Sequence, residues 1–273
     1  MKRNKRTFAT MSAVLILVLG RPYLAEATKK GLLPEASFYL SPHPVPGSML
    51  SDITYRVISI YGPGIEDQVT QTPATATLTF LPSDSPETIR MTVDARADGM
   101  AAFKGIGGEY RNRVTQTCYN GQCKANMDAS SPFYNPTFWG SPQDALTAGQ
   151  TWAVTLTAPW ELGPPATQTI TVLSVDERNG IVVLKRQGEG VGPYAGASNS
   201  VAIKKDGKSY TVAVKRGKAH WVGQAVFQHA VVVSDELLCI TSVELSSPDV
   251  GVIQAQERQY MSLLQHPETI PVQ

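Results

Sequence analysis

The sequence predicts an all-β fold: a single large antiparallel meander forming a curled sheet, a half-barrel or a barrel-like sandwich. Three observations carry this. Segments rich in Thr, Val and Ile alternate with a period of two: in Thr151–Thr157, Trp152, Val154 and Leu156 fall on one face and Thr151, Ala153, Thr155 and Thr157 on the other. Turn signals such as Asn179-Gly180 and Asp206-Gly207 separate these segments at short, regular intervals. The chain carries neither a convincing long helix nor a repeat of fixed length, which disfavours propellers and solenoids.

In chain order, Asp52–Tyr61 alternates and closes on Tyr61-Gly-Pro-Gly64. Thr75–Leu81 and Thr88–Ala95 form two more strands across the turn Pro82–Glu87. Asp98–Gly108, with four glycines, reads as a flexible turn, since its GIGG lacks the Lys-Ser/Thr of a phosphate loop. Glu109–Thr117 and Lys124–Met127 are the expected arms of a hairpin around Asn120-Gly121. Thr151–Thr157 leads into the corner Trp160–Pro165, where two adjacent prolines offer no donors to a ladder. Thr167–Val175 resumes, and Asn179-Gly180 is expected to form a type I′ turn into Ile181–Arg186.

Gly188–Gly196 reads as another glycine-rich turn. Ser200–Lys205 and Lys208–Arg216 flank Asp206-Gly207 as a hairpin, and Ala219–Val233 and Leu237–Leu245 flank the turn Ser234-Asp235-Glu236. Gly251–Leu264 fits either a helical or a strand face, and the reading leans to a final strand that rejoins the sheet.

Residues 1–27 have the order of a secretory signal peptide: a basic start, an apolar run Met11–Leu19, and Ala25-Glu26-Ala27 as a small-x-small cleavage site. The apolar run is short for a membrane span, which takes roughly 20 residues. The expected organisation is therefore a signal peptide over 1–27, an irregular proline-rich arm over 28–51, one β domain over 52–264 and a flexible tail over 265–273. No transmembrane segment is expected after signal cleavage. Residues 1–27 hold five of the 24 Lys and Arg residues and one of the 23 Asp and Glu residues. The remainder carries 19 positive and 22 negative charges, a net of −3 with His neutral, a poor balance for nucleic-acid binding. No Asn-x-Ser/Thr acceptor occurs. Together these features place the protein beyond the cytoplasmic membrane, periplasmic or secreted.

Three cysteines bear on that address. Cys118 and Cys123 bracket Tyr-Asn-Gly-Gln, so a turn at Asn120-Gly121 sets them opposite one another, and an oxidising compartment permits a disulfide between them. A lone C-x4-C pair with no histidine nearby is a weak zinc motif. Cys239 reads as a small buried apolar residue.

The most distinctive local stretch is Ser130–Pro142, SSPFYNPTFWGSP, four aromatics in a proline-stiffened loop. Two readings stand: a loop folded back to plug the core, or an aromatic rim at a ligand cavity. The ligand-binding candidates are Tyr134, Phe138 and Trp139 from this loop, with Trp160 and Trp221. Lys204, Lys205, Lys208, Lys215, Arg216 and Lys218 concentrate positive charge around Asp206. They read as a patch for an anionic surface or as an edge hairpin guarded by lysines.

The strand order and the Gly-x-Thr-Trp strand opening at Gly149–Trp152 resemble exported bacterial curled-sheet proteins, the lipoprotein carriers of the LolA type. That resemblance implies a half-barrel whose concave apolar face holds acyl chains.

Catalysis is not the favoured reading. His43 and His266 lie in proline-rich flanks, and His220 and His229, nine residues apart, fall on opposite faces of a regular strand. No G-x-S-x-G or H-E-x-x-H occurs, and the acidic pairs sit at turns. No metal or cofactor is implied. The expected function is a non-catalytic exported binding protein for a lipid or apolar small molecule. The alternatives are an envelope structural or interaction protein and, third, a hydrolase of an envelope polymer.

Overall fold

Alternating patterns repeated along a chain have one economical solution: hairpin after hairpin, with every second side chain on the same face. The computed structural model describes residues 49–81, 88–97, 103–111, 114–119, 122–125, 134–142, 145–228 and 231–265. They belong to the compact unit Ala36–Gln273 and contain thirteen strands in one antiparallel sheet.

The strands are β1 (Met49–Tyr61), β2 (Gln68–Leu81), β3 (Thr88–Ala97), β4 (Phe103–Arg111), β5 (Val114–Tyr119), β6 (Gln122–Ala125), β7 (Thr151–Leu156), β8 (Ala166–Asp176), β9 (Ile181–Val191), β10 (Ser200–Lys205), β11 (Lys208–Gln228), β12 (Val231–Ser247) and β13 (Gly251–Gln265). Their spatial order is β6-β5-β4-β3-β2-β1-β13-β12-β11-β9-β8-β7, with β10 paired to β11 alone. The end strands β6 and β7 are not paired with each other, so the sheet is open rather than a closed barrel. The last strand, β13, inserts between β1 and β12 and ties the two halves together. Register shifts at Val93/Ala95, Val172/Ser174, Arg216/Ala219 and Val226/Phe227 supply the bulges that bend and twist strands.

Gly251–Leu264 is a strand, as favoured above. Ile253, Ala255, Glu257, Gln259, Met261 and Leu263 of β13 are buried in alternation with exposed or half-buried neighbours. The Asp206-Gly207 hairpin has both residues at positive φ, 51° and 75°, and pairs Lys205 with Lys208.

Several boundaries differ from expectation, each for a physical reason. The first strand starts at Met49 rather than Asp52, and Gln265 ends β13 rather than opening a tail. The turn before β9 is four residues long, 177–180, and only Gly180 takes positive φ, at 63°. It is not type I′: the Asp176 carboxylate accepts hydrogen bonds from the Asn179 N–H (3.2 Å) and side-chain amide (2.7 Å), which shapes the longer loop. The GIGG stretch lies in β4, not in a turn. Gly188 and Gly190 likewise sit inside β9; a Cβ at Gly188 would stand 2.5 Å from the Trp221 ring on β11, so the bare position makes room for an indole. Ser234-Asp235-Glu236 is mid-strand in β12, because Asp235 points inward to an arginine partner; Gln228 of β11 and Val231 of β12 are the register partners that end the β11–β12 ladder. Lys208–Gln228 is one strand broken by a bulge, not two strands.

Cys118 and Cys123 are direct register partners across β5 and β6. Their side chains lie outside the described residues, as do His43, His229, His266 and the first 48 residues.

Candidate functional site

The inner face of β7, β8, β9, β11, β12 and β13 is floored by Ile170, Val172, Leu184, Phe227, Leu237 and Met261, among others. Segments 134–142, 145–150 and 157–165 contribute the residues packed upon that floor, among them Tyr134, Phe138, Trp139, Leu146, Trp160 and Leu162. The first of these segments contains a single helical turn, α1 (Pro136–Trp139), where the sequence predicts only a loop. The local chemistry explains the turn. Asn135 caps it by accepting from the Thr137 N–H at 3.0 Å, and Pro136 occupies the first turn, where no N–H is needed.

All five candidate ligand-binding residues come together here. Tyr134, Phe138, Trp139, Trp160 and Trp221 belong to one core cluster, each at most 3% exposed. The rings meet edge to face: Phe138 with Trp160 at 5.1 Å between centroids, Trp160 with Trp221 at 5.3 Å, and Tyr134 and Trp139 on Phe227 at 5.4 and 5.2 Å. The loop from Tyr134 is thus folded back over the sheet with its rings inward. A ligand reaches those rings only if the segment moves.

Polar contacts to its carbonyls tie the segment down. The Gln168 amide on β8 donates to the Phe138 carbonyl and accepts from the Trp221 indole N–H at 3.1 Å, so this fully buried glutamine is satisfied at both ends. The Trp152 indole N–H donates to the Trp139 carbonyl at 2.6 Å, and the Tyr134 hydroxyl donates to the Gly140 carbonyl at 2.8 Å. The Trp160 indole N–H bonds the Pro164 carbonyl at 3.1 Å, closing the proline corner on itself.

Beneath α1 lies an ion pair that sequence reasoning missed. Arg186 on β9 donates through Nη2 to both carboxylate oxygens of Asp235 on β12, each at 2.7 Å, with side-chain exposures of 0% and 2%. The guanidinium sits 4.7 Å from the Trp139 ring centre and 5.7 Å from that of Phe138. Burial pushes the Asp235 carboxyl up to about 6 against the pull of Arg186, with Glu161 and Glu236 adding to the rise. Strand parity carries the signal for this pair. Val182, Leu184 and Arg186 share one face of β9, and Asp235, Leu237 and Cys239 share one face of β12, so both charges occupy core positions.

A second polar group separates this core from the cluster of Ile60, Ile203, Val212 and Leu245. Arg216 pairs with the buried Glu257 at 2.7 Å, and Gln259 donates to Glu257 and accepts from Arg56. The Tyr194 ring lies between Arg216 and Arg56, at 4.9 and 5.6 Å. Burial raises the Tyr194 hydroxyl above its ordinary value.

The basic stretch is less concentrated than its sequence. Arg216 turns inward to Glu257, and Lys218 pairs with Glu189 on the surface at 2.8 Å. Lys204, Lys208 and Lys215 remain exposed and Lys205 is half-buried. His220 lies on the exposed outer face. Among the described residues no cluster of three His, Cys, Asp or Glu side chains is placed to hold a metal. No helix among them is long and apolar enough to cross a membrane. Cys239 is fully buried, and burial pushes its thiol up to about 11.

No family model matches the chain, and no curated protein does. Among solved structures, lipovitellin, in a structure titled for its lipid–protein interactions, aligns over 84% of this chain at 10% identity and a TM-score of 0.36. The chain covers 26% of lipovitellin, about a quarter of that protein's length. Neisserial surface protein A aligns over 79% of this chain and 96% of its own at 6% identity and a TM-score of 0.21. Ail of Yersinia pestis aligns over 81% and 100% at 7% identity, also with a TM-score of 0.21. No carrier of the LolA type appears among the neighbours. Similarities this low assign neither function nor family.

Proposed function

We propose that the protein is an exported, non-catalytic binding protein that takes an apolar or lipid-like ligand on the inner face of its open sheet, with segment 134–142 as the cover. The supporting observation is the construction of that cover. It is an irregular loop with one helical turn, laid over an apolar floor and held to the sheet by aromatic edges and a few bonds to its carbonyls. Lifting it uncovers a largely apolar surface, interrupted by Gln168 and the Arg186–Asp235 pair, of the kind that accepts a hydrocarbon chain. The export signal over 1–27, an irregular arm ahead of β1, the Cys118–Cys123 disulfide and the likeness to LolA-type carriers belong to the same reading.

All four tryptophans, Trp139, Trp152, Trp160 and Trp221, line this region, so intrinsic fluorescence reports on it directly. Titration with methyl oleate, an uncharged acyl probe, should shift and saturate the emission. An unchanged spectrum at saturating probe overturns the reading. Amino-terminal sequencing of protein recovered from the envelope fraction should begin at Thr28; recovery of the intact precursor from the cytosol removes the export part.

A second reading, an envelope interaction protein, is favoured by one feature. The β10–β11 hairpin pairs β10 on one side only and presents Lys204 and Lys208 to solvent. Loss of envelope partners from a pull-down on replacing Lys204, Lys205 and Lys208 distinguishes it from ligand binding.

A further inference from the structure

Arg186 is bonded on one nitrogen only. Nη2 carries both bonds to Asp235, while Nε and Nη1 are buried and meet no acceptor among the described residues. A fully buried guanidinium thus keeps three N–H donors out of water without a partner. Leaving such donors unpaired is costly, more so on a charged group, and a protein that tolerates the arrangement is poised to gain from an added acceptor. The surroundings limit what that acceptor is. Phe138 and Trp139 lie against the guanidinium, and Gly223, the register partner of Arg186, is so close that a Cβ there would stand 3.2 Å from Nε. The neighbours around the ion pair, including Leu184, Ala225 and Leu237, are apolar. Among the described residues, this pair is the charge that lies against Phe138 and Trp139.

We infer that Arg186 anchors the headgroup of the ligand, and that the ligand is a long-chain carboxylic acid bound through its carboxylate. This rests on the binding role proposed above and narrows it from apolar molecules in general to anionic amphiphiles. The tail runs along the apolar floor while the carboxylate accepts from the donors that Asp235 leaves unused, as charge-assisted bonds to a guanidinium do. Charge balance follows from Asp235. A second carboxylate at one guanidinium is one negative charge too many, and Asp235 takes a proton when the ligand carboxylate arrives. Burial already holds its carboxyl near 6, and the other charged groups acting on it are Arg186 on β9, Glu161 in the proline corner and Glu236 on β12.

The test compares oleate with methyl oleate by tryptophan fluorescence, in the wild type and in two variants. The wild type should bind oleate about tenfold or more tightly than its ester, the scale of one added charge-assisted contact. Arg186→Met combined with Asp235→Leu removes both buried charges and keeps the volume, so the fold survives and the oleate-to-ester ratio falls to about one. Arg186→Lys keeps a cation opposite Asp235 but deletes the planar donors, and the ratio falls there too. Equal affinity of the wild type for both probes overturns the anchor while leaving the binding role intact. So does a ratio unchanged in either variant, which places the recognised charge elsewhere. If neither probe binds the wild type, the binding role itself fails and the anchor with it.

Discussion

The Arg186–Asp235 pair offers the sharpest perturbation in the molecule. Replacing Arg186 alone with Met strands a carboxylate that is 2% exposed among apolar neighbours. Removing one member of a buried pair costs about 3–5 kcal/mol, a large part of the 5–15 kcal/mol that holds a domain folded. Adding Asp235→Leu should recover most of that loss, to within about 1 kcal/mol of the wild type or better, because two desolvated charges then give way to packed hydrocarbon. The same pair sets a pH dependence. The Asp235 carboxyl stands near 6 in the fold against 3.8 unfolded, so the folded state binds the proton more tightly. Its contribution is therefore fully present below 3.8 and is lost as pH rises through about 6. The shift of about two units corresponds to about 3 kcal/mol. Urea unfolding followed by tryptophan fluorescence at pH 4.5 and 7.5, in the wild type and in Asp235→Asn, measures it. The wild type should gain stability relative to the variant on acidification. A wild-type advantage that grows with pH, or a single Arg186→Met that costs less than about 1 kcal/mol, refutes the reasoning.

Other consequences are simpler to read. Gly188→Ala puts a Cβ 2.5 Å from the Trp221 ring and should cost about 1–3 kcal/mol in urea, with a shifted tryptophan emission maximum. Phe138→Ala removes a fully buried ring that meets Trp160 and lies over Arg186, and should lower stability by about 3–5 kcal/mol in thermal or urea unfolding. Cys239, buried with its thiol near 11, should resist alkylation at pH 8 in the folded protein; in urea without reductant, mass spectrometry should find one alkylated cysteine, and three after reduction. Three alkylated cysteines before reduction would remove the Cys118–Cys123 disulfide from the account.

Much of the sheet is legible because strand alternation is a local signal. Trp152, Val154 and Leu156 announce the buried face of β7, and Asp206-Gly207 announces its hairpin, each from a handful of adjacent residues. The errors fall where a residue's role depends on a distant neighbour. Asp235 between Ser234 and Glu236 has the composition of a turn; it is mid-strand because Arg186, 49 positions away, supplies the countercharge. Gly188 and Gly190 have the composition of a loop; they stay in β9 because Trp221 and Pro164 occupy the space their side chains would fill. Tyr134, Phe138 and Trp139 could be named from their crowding, with Trp160 and Trp221 added to them, but not the meeting point of the five on Phe227, Gln168 and Arg186.

Periodicity, turn residues and charge therefore determine the class of this protein: an antiparallel all-β chain. The insertion of β13 between β1 and β12, the folding of segment 134–142 onto the inner face, and the buried ion pair beneath it were decided in three dimensions. Backbone pattern is set by neighbours in sequence. A buried charge, a ring over a glycine and a strand's place in the sheet are settled by which distant surface pairs with which, and that free energy has no local signature.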